Sequence, residues 1–563
     1  MNSPPVSRKE LSANPSPMDH SIEQKSKELT SGALSHQETS RKISDFVQNE
    51  ILYYLDEWDV NPVDVFQKGR GMCAGKALLA VELFRALKLP SRFKIIKIYG
   101  ENDLFQFIRN RLEERESQES SPEDRKRVGR SILSLPPERD HILVQVWLDG
   151  GWVDLDLARD KELDYGMKVL GIGERNRIIS EEGPFDSIDE WLIERMRRRV
   201  IVDKRERFFR VINGEIEKVR LAGAMALRGG VKVPGANEIN NFTSNLAVIP
   251  GFPLNLGSLT GSRFDELAKV AQSFLITISD PERRSLFEEK VVDWLFSLVR
   301  HNVKRGRFWN LFDVLTQRRA DCLGYAKLFT ILAKNFGLDA GVVEVIRDCR
   351  GRYVPHIVSM IRLADGRKRL VDPWYGSPDI RHRLMNARVR QRRKFVSKTM
   401  TLKSLESSSG VFGLSPEQIR GIDFYILGNS FFGRGMQAEA ISCYDLSIWL
   451  FPSNPRAFFN RAVALESMGR QELSIKDYQR AFSMKQSFQK IVASAEDLEQ
   501  LIDLDEKQLE EFDQQVYLIR RGYITGHLES WKNIGKRLDM PSAAAKKKWN
   551  EGIRRIEHIF RKS

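Results

Sequence analysis

Two stretches of this 563-residue chain repeat one another around a cysteine. The segment DVFQKGRGMCAGKALLAVEL, which contains Cys73, aligns without gaps on DVLTQRRADCLGYAKLFTIL, which contains Cys322. After each cysteine the apolar residues recur at helical spacing, which predicts a helix that begins at or just before the thiol. The free N–H groups and the positive dipole end of a helix N-terminus favour the thiolate and can stabilise an oxyanion. The sequence therefore predicts two related segments, each with an activated thiol.

A β-hairpin is predicted after each cysteine segment. Its first strand begins at His141 (HILVQVWL) or His356 (HIVSMIRL), and a glycine-containing turn leads to a second strand, WVDLD or KRLVDPW. Folding the chain about the first turn places His141 opposite residue 158 or 159, so Asp156 lies closer to it than Asp154. The same construction places Asp372 a few residues from the partner of His356. An aspartate there can orient the imidazole while the other ring nitrogen takes the thiol proton.

These residues form two candidate catalytic sets, Cys73–His141–Asp156 and Cys322–His356–Asp372. A cysteine at a helix start, then a histidine strand, then an aspartate strand resembles the transglutaminase-like (papain-type cysteine) superfamily. The ALKLPSR segment is similar to a stretch of that family's core, and WVDLD and RLVDP resemble its Trp-x-x-x-Asp-Pro ending. The resemblance implies an α+β fold with two tandem transglutaminase-like (papain-like) domains and a cysteine nucleophile. It implies no metal and no organic cofactor.

The two segments also depart from that family's pattern. Neither cysteine is followed by the tryptophan of animal transglutaminases, and neither histidine strand starts with His-Ala-Trp. A charged insertion separates Cys73 from His141. These departures argue against calcium-dependent cross-linking of proteins and favour amide or peptide hydrolysis, or acyl transfer to a small amine.

Composition shifts along the chain predict its domain organisation. Residues 1–40 are rich in Ser, Pro, Gln and Lys and are predicted to be a disordered tail. The remaining predicted segments are a first transglutaminase-like domain over 41–222 with a charged insertion at about 101–139, a linker over 223–262, a second such domain over 263–410, tetratricopeptide repeats over 422–490, and C-terminal helices over 491–563 that resemble a helix-turn-helix.

The repeats are predicted from residue types at fixed positions. The first repeat matches at Phe424, Leu427, Gly428, Phe431, Ala440, Tyr444 and Pro452, and a degraded second repeat matches at Phe458, Leu465, Tyr478 and Ala481. Such helix pairs pack first against one another, and their concave face can serve as a groove for a protein partner.

Charge and cysteine usage limit the remaining classes of function. The net charge is +14, with basic runs near 194–207 and 381–394 that are interpreted as solvated helix faces or as a phosphate-tracking surface. Only four cysteines occur, without metal-site or disulfide spacing, and Cys349 and Cys443 are interpreted as packing residues. The N-terminus lacks an apolar signal, and no stretch is long and apolar enough to span a membrane, so the expected location is cytoplasmic.

Three hypotheses about function remain open. The first is a transglutaminase-like thiol enzyme that acts on a protein or peptide substrate, with the repeats recruiting a protein partner. The second is a non-catalytic scaffold in which both cores bind or pack. The third is a nucleic-acid-associated regulator, for which binding would depend steeply on salt concentration.

Overall fold

A computed structural model describes residues 19–56, 61–101, 103–118, 138–173, 175–189, 191–192, 205–247, 249, 252–254, 264–347, 353–374, 411–484, 541–544 and 547. The chain divides into two compact units, residues 1–228 and 229–563, each with helices and antiparallel sheet. No helix within these described ranges has the length and apolar character needed to cross a bilayer.

The first unit is built around one helix that starts at a cysteine. In chain order its elements are α1 (Asp19–Thr30), α2 (His36–Asn49), β1 (Leu52–Tyr53), α3 (Pro62–Lys68), β2 (Arg70–Gly71), α4 (Cys73–Ala86), β3 (Ser91–Glu101), α5 (Leu104–Gln118), β4 (Glu138–Leu148), β5 (Gly151–Leu155), α6 (Lys161–Val169), β6 (Arg175–Phe185) and α7 (Arg205–Arg228). Strands β3 to β6 form an antiparallel sheet in the order β5-β4-β3-β6, and β1 pairs in parallel with β2. The alternating residues Ile142, Val144 and Val146 of β4 are buried, and β4 packs against α4.

The second unit contains a similar core followed by helices. Its elements are α8 (Ala236–Ser244), α9 (Phe264–Thr277), α10 (Pro281–Asn302), β7 (Lys304–Arg305), α11 (Leu311–Gln317), β8 (Arg319–Ala320), α12 (Cys322–Asn335), β9 (Asp339–Arg347), β10 (Tyr353–Arg362), β11 (Lys368–Val371), β12 (Val411–Leu414), α13 (Pro416–Gly433), α14 (Gln437–Leu450), α15 (Pro455–Ser467) and α16 (Gln471–Ser483). The sheet order is β11-β10-β9-β12, and β7 pairs in parallel with β8.

The two cores share one sequence of elements. In each, a two-residue parallel strand pair flanks a short helix, a 14-residue helix starts at the cysteine, and the histidine strand lies second in a four-stranded antiparallel sheet. This common order agrees with the internal repeat in the sequence.

The predicted disordered tail is wrong from residue 19 onward. Helices α1 and α2 both pack on α4, where Ile43 and Val47 are fully buried and Ser26 Oγ donates to the Leu83 carbonyl at 2.8 Å. The apolar positions are spaced among many polar residues, so composition suggests disorder. Their burial on α4 offsets the entropy of ordering both helices.

The predicted linker and insertion also contain ordered helices. Helix α8 lies inside the predicted linker 223–262, and its Phe242 joins the apolar core of the second unit. Helix α5 lies inside the charged insertion and buries Phe107, Ile108 and Leu112. Their i, i+1 and i+5 positions fall on one helix face. The many charged residues around them made this apolar face hard to recognise in the sequence.

The helical segment 411–484 packs directly on the second core. Helices α13–α14 and α15–α16 form two helical hairpins, and a Cβ added at Gly428 would lie 2.6 Å from the Tyr444 ring. Strand β12 joins the core sheet beside β9, and Arg456 forms a buried ion pair with Glu344 of β9. The name tetratricopeptide repeat stays a prediction for these hairpins. The basic run near 381–394, most of the run near 194–207 and nearly all of the predicted helix-turn-helix lie outside the described residues.

A close crossing of α6 and α7 gives a test of the first unit's packing. A Cβ at Gly223 would overlap the carbonyl oxygen of Glu162, so the two backbones touch. We expect Gly223→Ala to lower the free energy of unfolding by about 2 kcal/mol or more, because the helices must separate. Gly214→Ala on the same helix meets nothing within 4 Å and should stabilise α7 by about 0.5–1 kcal/mol. Thermal unfolding of both variants measures the difference, and equal melting temperatures would contradict this packing.

Candidate active sites

The thiol of the first site begins α4. Cys73 is the first helical residue, and the preceding Met72 has extended backbone. The Met72 side chain does not cap the helix, so it satisfies none of the first N–H groups beside the thiol. A Cβ at Gly75 would lie 2.9 Å from Val65 Cγ2, so α3 packs tightly against the start of α4. The thiol helix thus begins at Cys73, as the sequence predicts.

The histidine and aspartate of the first site meet across the predicted hairpin. Strands β4 and β5 pair Val144 with Leu155, and continuing this register places His141 opposite Ala158, two residues beyond Asp156. His141 Nε2 lies 3.1 Å from Asp156 Oδ2, an ion-pair distance without the alignment of a good hydrogen bond.

The two aspartates of this hairpin have different partners. The Asp156 side chain is 43% exposed, and its Oδ1 accepts the Ala158 N–H at 3.1 Å. Asp154 instead contacts Gln145 and Lys94. Of the two aspartates, Asp156 is the one that lies beside His141.

The charges of the first site stabilise one another. Burial opposes the charged imidazole, but the Asp156 carboxylate and the Cys73 thiol outweigh it and raise the pKa of His141 to about 10. Partial burial likewise opposes the charged Asp156, yet His141 lowers the pKa of that carboxyl to about 2. At neutral pH the histidine is therefore an imidazolium between a carboxylate and the thiol.

The second site repeats this arrangement in a more enclosed form. Cys322 starts α12, and Asp321 caps that helix by accepting the Gly324 N–H at 2.8 Å. His356 Nε2 and Asp372 Oδ2 are hydrogen-bonded at 2.6 Å, with the two side chains only 5% and 1% exposed. Burial opposes the charged ring here too, but contacts with Asp372 and Cys322 raise the pKa of His356 to about 10.

The two sites share the hairpin register and the ring nitrogen used. Pairing of Ser359 with Val371 continues to place His356 opposite Trp374, two residues beyond Asp372, as in the first site. In both sites Nε2 faces the carboxylate, which leaves Nδ1 as the nitrogen available to the thiol. This arrangement can hold a thiolate nucleophile and deliver or accept one proton.

Other residues support the sites without any signal in the sequence. The third residue after each cysteine reaches back to a backbone carbonyl just before the short parallel strand: Lys76 to Ile51 at 2.6 Å and Tyr325 to Val303 at 2.8 Å. Burial lowers the pKa of Lys76 to about 7. The residue types differ so much that the alignment hides this shared role.

Tyr53 is a further neighbour of the first site that sequence analysis missed. Its backbone N–H donates to Asp160 Oδ2 at 3.3 Å, and its carbonyl accepts from Arg220 Nη2 at 2.7 Å. Burial raises the pKa of the Tyr53 phenol, and the nearby charges of Cys73 and Asp156 raise it further, so the hydroxyl stays protonated. Asp160 and Arg220 lie far along the chain, and only folding brings them to β1.

The other cysteines and possible metal sites add no further candidate. Cys443 is fully buried in α14, and burial raises its pKa, as expected of a packing residue. Cys349 lies outside the described residues. In the described ranges, no group of three or more His, Cys, Asp and Glu side chains could hold a metal ion.

Comparison with known proteins identifies one part of the chain. Residues 23–157 match the family model of the transglutaminase-like superfamily. The matched range contains all three residues of the first site and begins within α1. No solved structure matches the chain.

Proposed function

We propose that the first site is a thiol acyl-transfer site that hydrolyses an amide or peptide bond or passes the acyl group to a small amine. The observation that carries this proposal is the His141 imidazolium, with Nε2 on Asp156 and its other nitrogen available to the thiol at the start of α4. The superfamily match over residues 23–157 supports it.

The proposed reaction has two halves. The Cys73 sulfur attacks the carbonyl carbon, a C–S bond forms, and the carbonyl oxygen becomes an oxyanion. His141 gives its proton to the leaving nitrogen, the C–N bond breaks, and a thioester remains. Water or a small amine then loses a proton to His141 as it attacks the thioester. The C–S bond breaks, and the thiolate–imidazolium pair is restored.

For the second site we propose the same chemistry, with Cys322, His356 and Asp372 in the corresponding roles. Its support is the shared order of elements and the identical hairpin register. On this proposal the chain holds two tandem transglutaminase-like domains. Recruitment of a protein partner by the helical segment 411–484 stays a prediction.

A scaffold is the second candidate function, and one observation favours it for the second core. Ile422 of α13 and Phe451, which directly follows α14, share a buried apolar cluster with Leu323, beside Cys322. A core that serves to bind helices can be retained for that packing alone, without catalysis.

Acylation by an activated ester separates the two functions. The protein is mixed with p-nitrophenyl acetate, and acetylated peptides are located by mass spectrometry. The enzyme proposal expects an acetyl group on Cys73 or Cys322 that is lost on adding hydroxylamine and does not form in the Cys73→Ala/Cys322→Ala double variant. Acetylation confined to lysines, at equal rates in both proteins, would favour the scaffold.

A further inference from the structure

One helix of the segment 411–484 adjoins the second site. Ile419, Ile422 and Ile426 recur at helical spacing along one face of α13. Ile422 is buried in a small apolar cluster that also contains Leu323, next to Cys322, and Ile357, next to His356. Cys322 itself packs against this cluster, so this face of α13 adjoins the thiol of the second site.

Several side chains around this cluster keep part of their surface free. Cys322 is only partly buried, and Trp309, Ile419 and Ile426 are partly buried apolar residues packed against the same cluster. Cys322 thus keeps part of its surface exposed, and apolar groups from both the core and α13 pack beside it. A substrate that reaches the sulfur has apolar surface beside it.

Polar contacts hold α13 and Trp309 in place beside the thiol helix. Lys327 of the thiol helix forms an ion pair with Asp423 of α13, and its ammonium also lies 5.5 Å from the centre of the Trp309 ring. Lys327 Nζ contacts the Trp309 carbonyl at 3.4 Å as well. One partly buried lysine therefore links α13, Trp309 and the thiol helix.

We propose that α13 forms one wall of the second site, and that Ile419, Ile426 and Trp309 select acyl groups with apolar chains. The proposal deepens the proposed acyl-transfer function of this site and rests on it. The helical segment then acts as a specificity element of the second site. Its loss would change which acyl group binds beside Cys322.

Alkylation by a series of N-alkyl iodoacetamides tests this wall without requiring acyl chemistry. The full chain carrying Cys73→Ser is treated with the N-methyl and N-hexyl reagents, and the rate at Cys322 is followed by mass spectrometry. Each methylene that becomes buried favours binding by about 0.8 kcal/mol, or about 4-fold. We expect the hexyl reagent to react at least about 10-fold faster than the methyl reagent.

Variants of the wall decide whether α13 is the cause. Ile419→Ser and the milder Ile426→Ala should each lower the hexyl-to-methyl ratio several-fold. Ile475→Ser, on the exposed face of α16, is the matched control and should keep the ratio. A ratio near 1 in the parent, or a ratio that survives both wall variants, would overturn the proposal. A slow methyl rate with a high hexyl-to-methyl ratio would contradict the activated thiol but would support the apolar wall.

Discussion

Replacing His141 by asparagine is expected to slow alkylation of Cys73 by iodoacetamide about 100-fold at pH 6. On the proposed mechanism the His141 imidazolium stabilises the thiolate. Despite burial, contacts with Asp156 and the thiol raise the pKa of His141 to about 10. Without it the thiol resembles an ordinary cysteine with a pKa near 8.5, of which only about 0.3% is thiolate at pH 6. The measurement is site-resolved alkylation followed by mass spectrometry.

The second site provides the control for this variant. His141→Asn should leave the rate at Cys322 unchanged, and His356→Asn should slow Cys322 alone. Because Asp156 is 43% exposed, loss of its partner leaves a carboxylate that water can solvate, so the variant should fold. An unchanged rate at Cys73 in the folded variant would show that the histidine does not activate the thiol.

Asp372→Asn is expected to destabilise the second unit by about 3–5 kcal/mol at pH 6, because it leaves the buried His356 charge without its partner. The His356–Asp372 hydrogen bond is 2.6 Å long and almost fully buried. The matched variant Asp156→Asn removes a half-exposed carboxylate, which water also solvates, and should cost less than Asp372→Asn. Denaturant unfolding of the two variants compares the costs.

The pH dependence of this loss follows from the histidine. Its pKa is about 10 when folded and about 6.5 when unfolded, so its contacts with Asp372 and Cys322 together stabilise the folded state fully below about pH 6.5. That contribution falls as the pH rises from about 6.5 towards 10. The difference between the parent and Asp372→Asn should shrink over the same range, and a constant difference would mean that the pair is not charged.

The part of the fold that sequence analysis predicted depends on local pattern. The helix starts at Cys73 and Cys322 follow from apolar spacing, and the proximity of Asp156 to His141 follows from counting residues about a turn. A hairpin register is fixed by its turn, so a sequence is enough to derive it.

The part that was missed depends on contacts between distant segments. Nothing near Tyr53 indicates that Asp160 and Arg220 will bind its backbone, because both lie more than 100 residues away. Helices α1 and α2 are polar in composition. Their few apolar residues offset the entropy of ordering because they are buried against α4. The packing of α13 beside Cys322 likewise follows from no local signal.

The pH profile of alkylation of the unmodified protein tests most directly whether these sites hold activated thiols. Iodoacetamide is added between pH 5 and 9 with N-acetylcysteine in the same solution as an ordinary thiol. Because both imidazolium groups persist to about pH 10, the rates at Cys73 and Cys322 should vary less steeply with pH than the rate of the reference thiol. The reference rate should fall about tenfold for each unit below about pH 8.5. Rates at Cys73 and Cys322 that fall as steeply with decreasing pH as the reference rate would contradict the proposed activation of the two thiols.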